Sequence, residues 1–188
     1  MQEYTIGDPN LPKVDIGPII NKNSKDRLLK HISALKKSAK RTIEHHHKQD
    51  EGNLFITPIV FEIDSINQID EENFGPILHF IRYKNENLQQ VIDEINDTGY
   101  GLTMGVHSRI VSKARRIFEA ANVGNFYFNR DIVGAVVGVQ PFGGQGLSGT
   151  GPKAGGPGYL YNFVTEKTYT DNVMATGGNI ELLNKNAM

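Results

Sequence analysis

The stretch from Val133 to Leu160, VGAVVGVQPFGGQGLSGTGPKAGGPGYL, constrains this chain more than any other. It holds ten of the chain's 20 glycines, all within the 25 residues from Gly134 to Gly158. Such a segment forms neither a packed helix nor an ordinary strand, because each glycine in a regular element costs backbone entropy. Glycine is kept where φ must be positive or where another group must approach the main chain closely. A loop this rich in glycine is suited to wrapping a ligand with main-chain N–H groups.

At 188 residues the chain is long enough for one large domain, or for part of a larger one. Its 38% hydrophobic and 22% charged residues fit a globular protein and argue against disorder. A net charge of −1 provides no field for nucleic acid or an anionic membrane. No apolar run reaches the ~18 to 20 residues that span a bilayer. The start, MQEYTIGDPN, lacks the basic and apolar regions of a signal peptide, so a cytoplasmic location is expected. The chain has no cysteine, which removes disulfides, thiolate metal sites and a cysteine nucleophile within it.

The segment Ile6 to Ile20 reads as loop, punctuated by Gly and Pro. With Ser24 as its cap, Leu28, Leu29, Ile32, Leu35 and Ala39 predict an amphipathic helix over about Lys25 to Arg41. Leu54 to Ile63 is β-branched and aromatic but interrupted by Pro58, which predicts a strand pair or an edge strand. Ile77 to Tyr83 predicts a strand, Glu86 to Asn96 a short helix, and Gly101 to Ser108 a strand. A helix capped by Ser112 then buries Ala114, Ile117, Phe118 and Ala121 and closes near Gly124. Asn125 to Asn129 is a strand leading into the glycine loop. This alternation predicts an α/β fold with an open, mostly parallel sheet flanked by helices. The tail after Thr165 is polar, and Thr165 to Val173 is β-prone enough to add a strand to a neighbour.

Several motifs carry chemistry only in the right context. Gly149-Thr150-Gly151-Pro152-Lys153-Ala154 matches G-x-G-x-x-A, but more glycine loop precedes it where a strand is required, and Pro152 interrupts it. A phosphate-binding Gly-Lys-Ser/Thr loop is absent. Three consecutive histidines, His45 to His47, cannot easily converge on one metal ion, and with Lys48 and Gln49 beside them they read as solvated surface; no metal site is expected. In Glu71-Glu72-Asn73-Phe74-Gly75-Pro76 an extended backbone points Glu72 and Phe74 to the same side, where they could grip a ribose diol and cover a flat ring. An acidic turn between two strands explains the same residues.

Three of these stretches together resemble the aldehyde dehydrogenase superfamily. They are E-x-F-G-P-I at Glu72 to Ile77, T-G-Y-G-L-T-M-G-V-H at Thr98 to His107, and Q-P-F-G-G-x-G-x-S-G-T-G at Gln140 to Gly151. The opening IGDPNLPKVDIGPII is similar to the segment that follows the catalytic cysteine in those enzymes. More narrowly, GNFYFNRDIVGAVVGVQPFGGQGLSGTGPKAGGPGYL and TEKTYTDNVMATGGNIELL resemble the Δ1-pyrroline-5-carboxylate (L-glutamate γ-semialdehyde) dehydrogenases of bifunctional proline utilization A proteins.

The resemblance implies the C-terminal portion of such a catalytic domain over residues 1–164, followed by an oligomerisation strand and tail over 165–188. In that family a cysteine thiolate attacks the aldehyde, hydride passes to NAD, and a glutamate-activated water hydrolyses the thioester. The nucleophile, the general base and the dinucleotide-binding domain are expected upstream of Met1, and an FAD-dependent proline dehydrogenase further upstream. The chain alone is therefore expected to be inactive, and its partners to be that upstream part and further copies of itself. By resemblance, Glu72 hydrogen-bonds the nicotinamide ribose and Phe74 packs beside the nicotinamide ring. Phe142 lines the aldehyde tunnel, Gly155 and Gly156 hold the substrate α-carboxylate through main-chain N–H groups, and Phe163 forms an apolar wall. Each such charge-assisted bond contributes roughly 1.5–3 kcal/mol net. Gly158 is a departure, since relatives often carry a bulkier residue there.

Overall fold

A computed structural model describes residues 3–44 and 54–172, so His45 to His47 and the tail from residue 173 lie outside the described residues. The first element is helix α1, Lys22–Ser38. It begins earlier than its sequence pattern implied: Asn21, in extended backbone, is the N-cap, and its side-chain oxygen accepts the Ser24 N–H at 2.8 Å. Ser24 thus supplies the orphan donor of the first turn rather than the cap. The helix stops at Ser38 because the next residues turn extended and Lys40 N–H reaches Glu62 O at 2.8 Å, which joins the chain to a sheet.

That sheet is three-stranded, with β1 (Arg41–Glu44) antiparallel to β2 (Ile59–Ile63) and β2 parallel to β3 (Ile77–Ile81). β2 is the central strand, not an edge. Pro58 lies just before it and is buried, so its missing N–H removes nothing from either ladder. Ile59, Phe61 and Ile63 alternate inward and pack with Leu28, Ile32 and Leu35 of α1. Phe61 is fully buried at the centre of this core.

The second half is built from α2 (Leu88–Asp97), β4 (Tyr100–Gly101), β5 (Thr103–Val106), α3 (Val111–Ala120), β6 (Asn125–Phe128) and β7 (Gln145–Gly146). β5 and β6 pair in parallel, and Leu88, Ile92 and Ile117 bury against Met104, Val106 and Phe126. β4 and β7 form a separate antiparallel pair. The α/β alternation is therefore present, but the single mostly parallel sheet is not. Among the described residues there are three small sheets, with as many antiparallel as parallel pairings.

Three local expectations also change around α3. Its N-cap is Ile110, and Ser112 lies inside the helix without a capping bond. Phe118 is 57% exposed and meets Phe126 edge-on at 5.4 Å instead of joining the buried stripe. The chain leaves the helix in extended conformation at Ala121, so Gly124 does not close it; Gly124 N–H bonds Gly101 O at 2.9 Å.

One polar contact fastens α1 to β3. The Nε2 atoms of His31 and His79 are 2.8 Å apart, and the His79 ring stacks near Phe61. Such a contact needs one ring to donate N–H and the other to accept, so both rings cannot be protonated. Burial holds both imidazoles below their usual value; the Asp70 and Glu71 carboxylates pull His31 part of the way back, while His31 further lowers His79. Groups with lowered values in the folded state stabilise it fully above the unfolded value of about pH 6.5, and that stability is lost as pH falls below it. Thermal melts are expected to show a lower midpoint at pH 5.5 than at pH 7.5, and His79→Phe should flatten the difference. An equally steep dependence in His79→Phe would show that the pair is not its source.

Candidate functional site

The sequence-predicted site residues fall on two structural segments. The first is the irregular stretch that enters β3. Glu72 is exposed and makes no ion pair among the described residues, and Phe74 is 86% exposed. A ring that open contributes little to folding, and its face is accessible.

Helix α1 holds this stretch at three points. Arg27 lies 3.9 Å from the Glu71 carboxylate, Leu28 packs on Gly75, and His31 meets His79. A Cβ on Gly75 would sit 2.7 Å from Leu28 Cδ1, so the glycine of E-x-F-G-P lets the chain run tight against the helix. Glu72 and Phe74 are thus presented outward by a backbone fixed on its opposite side.

The second segment is the glycine-rich loop after β6. Phe142 is half-buried and pairs with Ala154 through two hydrogen bonds: Phe142 N–H to Ala154 O at 3.0 Å, and Ala154 N–H to Phe142 O at 2.9 Å. Gly155 follows directly, with φ at +71° and open space where a Cβ would be. Its N–H has no acceptor among the described residues. Gly156 differs: its N–H donates to Lys153 O at 3.0 Å, and a Cβ there would sit 3.3 Å from Pro141 Cβ. Of the two expected anchor glycines, only Gly155 offers an N–H not already engaged. Phe163 is 70% exposed in the 3-10 turn Tyr159–Phe163, edge-on to Tyr159 at 5.4 Å. The segment 165–172 runs exposed, without helix or strand.

Three other glycines of this loop, Gly144, Gly146 and Gly149, serve packing, since a Cβ on any of them would lie 2.3 or 2.4 Å from a main-chain oxygen. The Gly143 oxygen lies 1.8 Å from the position of a Cβ on Gly124, so two backbones cross there with no room for a side chain. Sequence reasoning also missed Asn125, the buried polar residue of β6. Its Nδ2 donates to Pro141 O at 3.0 Å and its Oδ1 accepts Gly143 N–H at 3.1 Å, on either side of Phe142. An asparagine opening a strand gives no alternation signal, and only its sequence position just before an apolar strand hinted at burial.

No group of three or more potential metal ligands occurs among the described residues, and no helix there is long and apolar enough to cross a membrane. Gly124→Ala is expected to destabilise the protein severely by forcing two backbones apart. Gly155→Ala, with open space, should cost only the left-handed backbone strain of about 1–2 kcal/mol. Chemical denaturation of the two variants measures this, and equal losses would contradict it.

The aldehyde dehydrogenase family model matches residues 1–169. The bifunctional protein PutA of Klebsiella aerogenes is 43% identical over 173 residues, which cover 89% of this chain and 13% of that protein. A Bradyrhizobium japonicum proline utilization A structure superposes with a TM-score of 0.82 at 50% identity, covering 94% of this chain and 18% of that one. A Thermus 1-pyrroline-5-carboxylate dehydrogenase solved with bound NAD superposes at 0.71 with 40% identity, covering 85% of this chain and 31% of that one. The chain thus spans between about an eighth and a third of the relatives it matches. With a match that takes in both candidate segments, the chain belongs to the aldehyde dehydrogenase family.

Proposed function

We propose that this chain is the C-terminal portion of an NAD-dependent L-glutamate γ-semialdehyde dehydrogenase, which oxidises the semialdehyde to glutamate in proline catabolism. The observation that carries the reading is the 50% identity to proline utilization A structures at a TM-score of 0.82 over nearly the whole chain. The same likeness supports a bifunctional parent with an upstream FAD-dependent proline dehydrogenase, and a cytoplasmic location. By the same likeness the nucleophile and the general base belong to an upstream part; this chain has no cysteine, and alone it is inactive.

The residues present suit the nicotinamide end of NAD. Glu72 offers a carboxylate not engaged in an ion pair among the described residues, and Phe74 an open ring, on a backbone that α1 holds from behind. NAD, when bound, supplies the hydride acceptor. Glu72 would accept hydrogen bonds from a ribose diol, and Phe74 would cover one side of a flat ring. Phe142 would give the aldehyde chain an apolar surface that excludes water, with Phe163 as a further wall. Gly155 would donate its N–H to the α-carboxylate, with the Gly156 main chain shaping the turn. Orientation of this kind is worth much of a barrier only when held within a fraction of an ångström.

A second reading rests on the exposed segment 165–172. Within the strand and tail of residues 165–188, Thr165 to Val173 would add a strand to a neighbouring subunit, so that the chain is an assembly module or one half of a split enzyme.

In the complete protein, Glu72→Ala should slow hydride transfer about tenfold or more while leaving covalent capture of the aldehyde intact. Rapid mixing with NADH absorbance reads the first, and unchanged hydride transfer would remove Glu72 from the role. A bulky side chain at Gly156 should raise KM for the semialdehyde more than for a simple aldehyde lacking the carboxylate, and equal effects would remove the anchor. Light scattering of this chain with and without the residues after Thr165 tests the module: an unchanged mass on truncation counts against it.

A further inference from the structure

We infer that Asn125 is a positioning residue that sets the spacing between the aldehyde surface and the carboxylate anchor, and thereby the length of semialdehyde the site accepts. The inference rests on the function proposed above for Phe142 and Gly155.

Asn125 is 8% exposed, and both ends of its amide bond main-chain atoms. Nδ2 donates to Pro141 O at 3.0 Å, and Oδ1 accepts the Gly143 N–H at 3.1 Å. Phe142, between those two residues, has its own N–H and C=O taken by Ala154 at 3.0 and 2.9 Å. From Pro141 O to Gly143 N, the main chain around Phe142 is held from both sides.

The same bonds reach the anchor. In a pair that exchanges both N–H···O bonds, the Cα atoms are held about 5.5 Å apart. Gly155 is the next residue after Ala154, one peptide of about 3.8 Å further on. Gly156 lies beside Pro141, whose Cβ is 3.3 Å from the position of a Cβ on Gly156, and Pro141 is the residue whose oxygen Asn125 holds. Lys153 closes the arrangement from the far side, its ammonium bonded to Gly124 O next to Asn125 and its stem packed on Gly143. Asn125 therefore touches neither end of a bound semialdehyde, yet its amide determines where both ends sit relative to each other.

A substrate that engages both ends senses this spacing; one that engages a single end does not. The experiment compares the wild-type complete protein with Asn125→Asp and Asn125→Ala on three aldehydes. These are L-glutamate γ-semialdehyde, its homologue one methylene shorter, and a five-carbon aldehyde without the carboxylate. Asn125→Asp keeps an acceptor for Gly143 N–H but places a carboxylate oxygen against Pro141 O. Its KM for the glutamate semialdehyde should rise and its preference over the shorter homologue should fall about tenfold, with kcat for the carboxylate-free aldehyde little changed. An equal loss on all three substrates would overturn the inference in favour of a purely structural role, and unchanged constants would overturn it outright.

Hydrogen exchange gives a readout independent of activity. The Phe142 and Ala154 amides should exchange faster in both variants, whereas the Gly143 amide should lose protection only in Asn125→Ala. Unchanged exchange at Phe142 and Ala154 would overturn the inference. Should Asn125→Ala fail to fold, the near-isosteric Asn125→Asp supplies the same comparison. A wild-type protein that oxidises neither semialdehyde would overturn the function proposed above, and the exchange rates would still decide the role of Asn125.

Discussion

Two backbones cross where Gly143 lies over Gly124, and the second candidate segment depends on that crossing. The Gly143 oxygen occupies space that any side chain on Gly124 would need. Because the crossing is tight, the Asn125 amide beside it can reach both Pro141 O and Gly143 N–H, and the Lys153 ammonium can reach Gly124 O. Those bonds in turn fix Phe142 against Ala154. A loop with ten glycines in 25 residues would otherwise be expensive to order, since glycine has the most backbone freedom to lose. Here the order comes from main-chain hydrogen bonds and from one buried amide rather than from an apolar core.

The first candidate segment is ordered by a different device. Its anchor is helix α1, which contributes an ion pair, an apolar contact and a histidine contact to successive points between Glu71 and His79. Behind them stands the core of Phe61 and its aliphatic neighbours. The two segments therefore respond to different stresses. Acid weakens the histidine contact behind Glu72 and Phe74, whereas the loop around Phe142 is held by main-chain and amide hydrogen bonds.

Much of the element order was legible because period and composition are local properties. The apolar spacing in α1, the alternation in β2 and the aromatic run in β6 each declare an element without reference to the rest of the chain. Boundaries and roles were less legible. Ser24 and Asn21 are both good caps, and which one is used depends on where the chain enters the helix. Pro58 suggested an edge strand because a proline weakens a ladder, yet it falls one residue before β2, where no ladder bond is lost. Phe118 matched a buried stripe by spacing, but α3 turns that position outward, against Phe126.

By itself the sequence determined the class of elements, the family motifs, and the absence of a cysteine and hence of a thiol nucleophile within this chain. It also marked Glu72, Phe74, Phe142, Gly155, Gly156 and Phe163 as residues to watch. Only the tertiary structure distinguished Gly155, whose N–H is not engaged among the described residues, from Gly156, whose N–H is already bonded. Only it brought Asn125 to the flanks of a residue 17 positions away. The physical reason is that a residue type limits what a backbone can do, whereas hydrogen-bond partners and close approaches are set by segments far apart in the chain.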